Sequence, residues 1–171
     1  VAIEAWSTSA AFFDYDLDGD LDLYAVNYLA FELSDNEICE AQVRDYCGPD
    51  AYPGQSDVLY RNDGQSYVDV TGLADFYNEA GKGLGVATSD YDADGDVDLY
   101  VANDLSDNVL LRNLGDGSFT DVSHAAWVAD YRGAMGLAAG DWDNDGDEDL
   151  FITHWIAQEN ALFSNMTSDY R

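Results

Sequence analysis

In a chain of 171 residues, 35 acidic side chains stand against six basic ones, for a formal net charge of −29. Such a charge opposes binding to nucleic acid or to anionic membrane surfaces, and favours metal ions, cationic partners or neutral sugars. With 47% hydrophobic residues the composition suits one folded domain, and no run of about 18 apolar residues occurs, so no membrane-spanning helix is expected.

The first six residues, Val1-Ala2-Ile3-Glu4-Ala5-Trp6, alternate in part between apolar and polar. They show neither the basic nor the apolar region of a secretory leader, so any leader is expected to be already removed or to lie outside these residues. Ser7 to Phe13 is a small, apolar run suited to a buried strand. It enters the acidic stretch Asp14-Tyr15-Asp16-Leu17-Asp18-Gly19-Asp20-Leu21-Asp22-Leu23, and a second strand with a period of two is predicted over Leu21 to Tyr28. A polar segment from about 29 to 56 follows, in which Cys39 and Cys47 lie near Gly48, Pro49, Pro53 and Gly54. In an extracytoplasmic protein this pair reads as a local disulfide stapling a loop, with free thiols as the alternative. Residues 57–62 and 66–70 are β-rich and flank an Asn62-Asp63-Gly64 turn, the pattern of a hairpin.

The same order then returns. A second acidic stretch runs from Asp90 to Leu99, followed by the hairpin pattern at 108–113 and 118–122. A third runs from Asp141 to Leu150, preceded by a small apolar run at 134–140 and followed by runs at 150–154 and 160–165. The loops begin at Asp14, Asp90 and Asp141, and the longer first interval is accounted for by the cysteine-bearing insertion. What remains is an array with a unit of about 50 residues. The fold predicted for 1–171 is therefore all-β: three four-stranded antiparallel units at 7–73, 83–123 and 134–165, each with its acidic loop between the first and second strands. The third unit lacks a fourth strand, since Met166 to Arg171 does not continue the pattern. A bare sheet edge is a site for strand pairing, and residues 1–6 of this chain or of a neighbour are the candidate donor.

Carboxylates at loop positions 1, 3 and 5, with Gly at 6 to permit the turn, converge on one point and suit a hard cation with oxygen ligands, calcium above all. An EF-hand loop would carry Glu at position 12, where this chain has Ala25, Val101 and Ile152. Position 9 is acidic each time instead, at Asp22, Asp98 and Asp149, and each opens a strand-like run. Solvated acidic turns are the alternative. Against it, five acids within nine residues repel one another unless a counter-charge is present.

These loops, with the Leu-Tyr-Arg-Asn and Leu-Leu-Arg-Asn segments and the Gly-Asp-Gly-Ser-Phe-Thr-Asp-Val turn and strand, resemble FG-GAP/VCBS repeats. Such repeats are the blades of β-propellers like the integrin α-subunit head and the cartilage acidic protein group. The resemblance implies an open, partial propeller and three calcium sites, each with side-chain ligands at positions 1, 3, 5 and 9 and a main-chain carbonyl at 7. The sites would be Asp14, Asp16, Asp18 and Asp22 with the Asp20 carbonyl; Asp90, Asp92, Asp94 and Asp98 with that of Asp96; and Asp141, Asp143, Asp145 and Asp149 with that of Asp147. Closed propellers need about four blades or more, so this stretch does not close a ring alone.

No enzyme is expected. His124 and His154 read as loop or strand-end residues, no nucleophile motif occurs, and the clustered acids are committed to metal. Trp6, Trp127, Trp142 and Trp155 are expected in blade cores rather than on a sugar-binding face. Asn165-Met166-Thr167 is a glycosylation sequon. Together with the cysteines and the calcium-type loops it points to an extracellular or cell-surface location. Two roles fit: a calcium-stabilised structural subunit assembling head-to-tail into a filament or ring through the open edge, or an adhesion module binding a protein or glycan as part of a larger propeller.

Overall fold

A computed structural model describes residues 4–40, 44–74 and 81–167. The first sheet takes its strands from β1 (Ser7–Phe13) and β2 (Asp22–Asn27), and, beyond the insertion, from β5 (Val58–Asn62) and β6 (Tyr67–Asp69). Inside the insertion β3 (Cys39–Glu40) and β4 (Arg44–Asp45) pair with each other, and a disulfide joins Cys39 to Cys47. The second sheet runs β7 (Gly83–Ser89), β8 (Asp98–Asn103), β9 (Val109–Asn113) and β10 (Phe119–Asp121). The third has β11 (Ala134–Gly140), β12 (Asp149–His154) and β13 (Ala161–Phe163). All neighbouring strands are antiparallel, and no α-helix occurs among the described residues, so none is long and apolar enough to cross a membrane.

The fold is thus all-β, with open sheets of four, four and three strands laid out as blades of a partial propeller. Repetition extends to irregularities, because each first strand shifts register near its start, at Ser7/Ser9, Gly83/Gly85 and Ala134/Gly136. Among the described residues β13 has no partner on its outer side. The Trp6 carbonyl accepts from Tyr28 N–H at 2.9 Å, so the end of the leading segment continues along the first sheet. Val1–Ile3, the rest of the candidate donor, lie outside the described residues.

The first strands lie side by side, β1 against β7 and β7 against β11. Small side chains permit this approach. A Cβ on Gly83 would lie 2.2 Å from Val26 Cγ1 and 3.2 Å from the Asn27 carbonyl oxygen, so only glycine fits where the second sheet meets the first. One apolar core lies between sheets one and two, around Phe13, Tyr15, Leu59, Leu99 and Phe119; another lies between sheets two and three, around Tyr100, Leu110 and Ile152. In β2 the deeper face is Asp22, Tyr24 and Val26.

The tryptophans correct the sequence reading. Trp6, Trp127, Trp142 and Trp155 are all exposed, and tyrosines and phenylalanines fill the cores in their place. Trp142 follows the first acid of its loop as Tyr15 and Tyr91 do, but among the described residues no further sheet covers that side of the third sheet.

Replacing Gly83 by Ala is expected to destabilise the fold by about 1–3 kcal/mol, the usual cost of overpacking. Thermal unfolding measures this, and an unchanged midpoint would contradict the close approach.

Candidate metal centres

Each acidic loop is folded by its own carboxylates. Asp14 accepts from the N–H groups of Asp18 and Gly19, at 3.1 and 3.0 Å, and Asp18 accepts from Asp20 N–H at 2.9 Å. Asp90 does the same for Asp94 and Gly95, and Asp141 for Asn144, Asp145 and Gly146. The position-6 glycines have φ of 93°, 99° and 97°. Position 4 is also left-handed, at Leu17, Ala93 and Asn144, with φ of 59°, 52° and 63°. For Leu17 and Ala93 this is a conformation that L side chains resist, and a pattern of acids and glycines does not reveal it.

The result is carboxylate oxygens brought together. In the first two loops it is Asp14, Asp16 and Asp18, and Asp90, Asp92 and Asp94, whose ligand atoms lie within 4.8 Å of one another; in the third it is Asp141, Asp143 and Asp149. Two oxygens bound to one calcium at about 2.3–2.6 Å can be at most about 5 Å apart, so the spacing fits a shared ion. The Asp16 Oδ1 atom is buried with no hydrogen-bond partner, an orphan that a cation would satisfy. Position 7 turns its side chain to the hairpin: Asp20 lies beside Gly64 and Asp96 beside Gly115.

The position-9 acids do something more than the spacing suggested. Asp22, Asp98 and Asp149 are almost fully buried, and each carboxylate bridges two elements. Asp22 accepts from Tyr15 N–H at 3.0 Å and from Asn62 N–H at 2.8 Å. Asp98 accepts from Tyr91 and Asn113, and Asp149 from Trp142 and Asn165, in the same way.

The bridging role of the asparagines was not read from the sequence, where Asn165 stands out only as a sequon and Asn62 only as part of a turn, although each ends a Leu-x-x-Asn segment. Asn113 Nδ2 donates to the Tyr15 carbonyl at 2.8 Å, and Asn165 Nδ2 donates to the Tyr91 carbonyl at 2.7 Å. Each crosses from its own sheet to the acidic loop of the sheet before it. Asn165 also accepts from Thr167, so its sequon amide is engaged between sheets, and a glycan there has to compete with that bond.

Arginine distinguishes the three loops. Arg112 lies 2.8 Å from Asp92 and 3.1 Å from Asp94, partly neutralising the second cluster. Arg61 pairs with Asp63 in the hairpin instead, and the corresponding residue beside the third loop is Ser164. Burial, helped by Asp18, raises the Asp16 carboxyl above the usual range, and burial likewise leads in raising Asp22, Asp92 and Asp143. Burial pushes Asp98 up to about 7, against the two backbone N–H bonds that lower it.

The histidines lie apart from the loops. His154 ends β12, with its ring buried 3.3 Å from Asp130, and His124 sits in an exposed turn 3.3 Å from Asp107. Asp130 is held below its ordinary range: burial raises it, but bonds from Arg132 outweigh burial.

Residues 90–152 match the FG-GAP-like repeat family model. The chain is 32% identical over 73 residues to cartilage acidic protein 1 of Xenopus tropicalis, covering 42% of this chain and 11% of that protein. It is 30% identical over 92 residues to cartilage acidic protein 1 of Homo sapiens, covering 50% of this chain and 14% of the relative. The chain therefore spans only a small part of the curated relatives it matches.

An acid with a raised folded pKa binds its extra proton in the fold, so its contribution to stability is complete below about pH 4 and is lost as pH rises through about 7. The metal-free chain is expected to lose stability over that window as Asp98 ionises, and saturating calcium is expected to restore most of the loss at pH 7–8. Melting temperature against pH, with and without calcium, measures this. Superimposable curves would contradict it.

Proposed function

We propose that the chain is an FG-GAP-like repeat protein, an extracellular structural subunit whose three acidic loops each hold one calcium ion. The observation that carries this reading is the convergence of three carboxylates in every loop, together with the orphaned oxygen of Asp16. The ligands are the side chains at positions 1, 3, 5 and 9 and the carbonyls of Asp20, Asp96 and Asp147. The position-9 carboxylates have lone pairs to spare beyond their two N–H bonds, and so can serve ion and fold together.

Calcium in this role is structural. At a concentration 100-fold above its dissociation constant, one site adds about 2.7 kcal/mol. Three would add roughly 8 kcal/mol, a large share of the 5–15 kcal/mol typical of a domain. Assembly into a filament or ring would run through the outer edge of β13, where a donated strand makes a head-to-tail contact. The cysteine pair and the likeness to cartilage acidic protein 1 support a location outside the cell. No catalytic role is proposed.

A second reading is favoured by one feature of the insertion. Trp6, Phe31, Glu4, Glu32 and Gln55 line a cavity of about 550 Å³, and Trp6 packs edge-on against Tyr28 and Phe31. Aromatic faces beside carboxylates suit a glycan or a cationic peptide, which would make the chain an adhesion module.

Chelation is expected to lower the melting temperature by at least about 10 °C and, in electron micrographs, to disperse any filaments or rings. An unchanged midpoint would contradict structural calcium, and uniform small particles in calcium would favour the adhesion module.

A further inference from the structure

Two arginines in equivalent places turn to different acids. Arg61 and Arg112 each stand one residue before the asparagine whose side-chain oxygen accepts the N–H of the hairpin glycine, Gly64 or Gly115. Their side chains are equally exposed, at 39%. Arg61 Nε donates to Asp63 Oδ1 at 2.8 Å, within its own hairpin. The residue in the place of Asp63 is Leu114, so the second hairpin offers Arg112 no acid there. Arg112 reaches the acidic loop instead, with Nε 2.8 Å from Asp92 Oδ2 and Nη2 donating to Asp94 Oδ2 at 3.1 Å.

Those two acids belong to the converging set Asp90, Asp92 and Asp94. A guanidinium seated on them uses lone pairs that an ion would need, and its positive charge lies beside the place the ion would take. Calcium draws its oxygens in to about 2.3–2.6 Å, and like charges at such short range repel. Binding at the second loop therefore requires Arg112 to turn away, or to stay at an electrostatic cost. In the third unit Ser164 stands where the arginines stand, and it brings no cation to the loop.

We propose that Arg112 competes with calcium for the second loop, so that the second site fills last, and that the hairpin residue decides this order. An acid in the hairpin, as at Asp63, keeps the arginine away from the loop. An apolar residue, as at Leu114, releases it to the loop. At intermediate calcium the chain then holds two ions, and the second loop is closed by its own arginine. The middle sheet, which contributes to both apolar cores, thereby keeps an internal counter-charge when calcium is scarce. The inference rests on the calcium reading proposed above and adds to it the order of filling.

The position-6 glycines report the sites one by one, because Gly19, Gly95 and Gly146 each donate to the first acid of their own loop. The test is a calcium titration of metal-free, glycine-labelled protein near neutral pH, followed by the amide signals of these three residues in NMR spectra. Gly95 is expected to respond at a calcium concentration at least about threefold above that of Gly19 and Gly146, the scale of a partly exposed ion pair. Arg112→Gln is expected to close that gap. Arg61→Gln removes the same charge at the same exposure and is expected to move Gly19 by less than about twofold, which separates a local contact from the general field of an acidic chain. Exchanging the hairpin residues, Asp63→Leu together with Leu114→Asp, keeps the net charge and is expected to reverse the order of Gly19 and Gly95. Gly95 responding with or before Gly19 in the unsubstituted chain would overturn the proposal. So would weaker binding at the second loop in Arg112→Gln, since the arginine would then support the site rather than compete for it. Three glycines indifferent to calcium would refute the calcium reading and this inference with it, whereas three that respond in another order refute the competition alone.

Discussion

A carboxylate withdrawn from water must be satisfied by other groups, and in this chain the satisfaction of three such carboxylates ties each sheet together. Asp22, Asp98 and Asp149 begin the second strands, and each holds the loop in front of it and the end of the third strand behind it. The same asparagine that closes the bridge reaches back to the preceding sheet at Asn113 and Asn165. Loop conformation, sheet register and the spacing between sheets are thereby coupled at one point. A cation placed among the loop carboxylates would act directly on that point.

Charge sets the second condition. Five acids in nine residues are bearable in a loop only if N–H groups, arginine or a cation neutralise them. The structure uses the first device in every loop and the second mainly in the second loop, where Arg112 faces Asp92 and Asp94. The third loop has Glu148 in addition and Ser164 in place of arginine, so it carries the most uncompensated acid.

Much of this was legible in the sequence because it recurs. The runs at 7–13 and 134–140 are β1 and β11 residue for residue, and among the described residues the third sheet has three strands. Recurrence, rather than alternation, carries this, since β8 is buried at every position. It did not reveal the left-handed Leu17 and Ala93, whose conformation is imposed by the surrounding hydrogen bonds rather than by their side chains. Nor did it place the tryptophans: size and apolarity suggest a core, but Trp142, which matches the core residues Tyr15 and Tyr91, lies where no further described sheet covers it. Asn113 and Asn165 were detectable in principle, because an asparagine closes each Leu-x-x-Asn segment, but their partners are 98 and 74 residues away.

The most direct measurement of the central claim is a count of bound ions by native mass spectrometry, on metal-free protein equilibrated with calcium near neutral pH. Three ions per chain is the predicted result, falling by one when both Asp90 and Asp92 are replaced by asparagine. A chain that retains none, while remaining folded, would mean that the loops are solvated acidic turns held by their own N–H groups, and would contradict it.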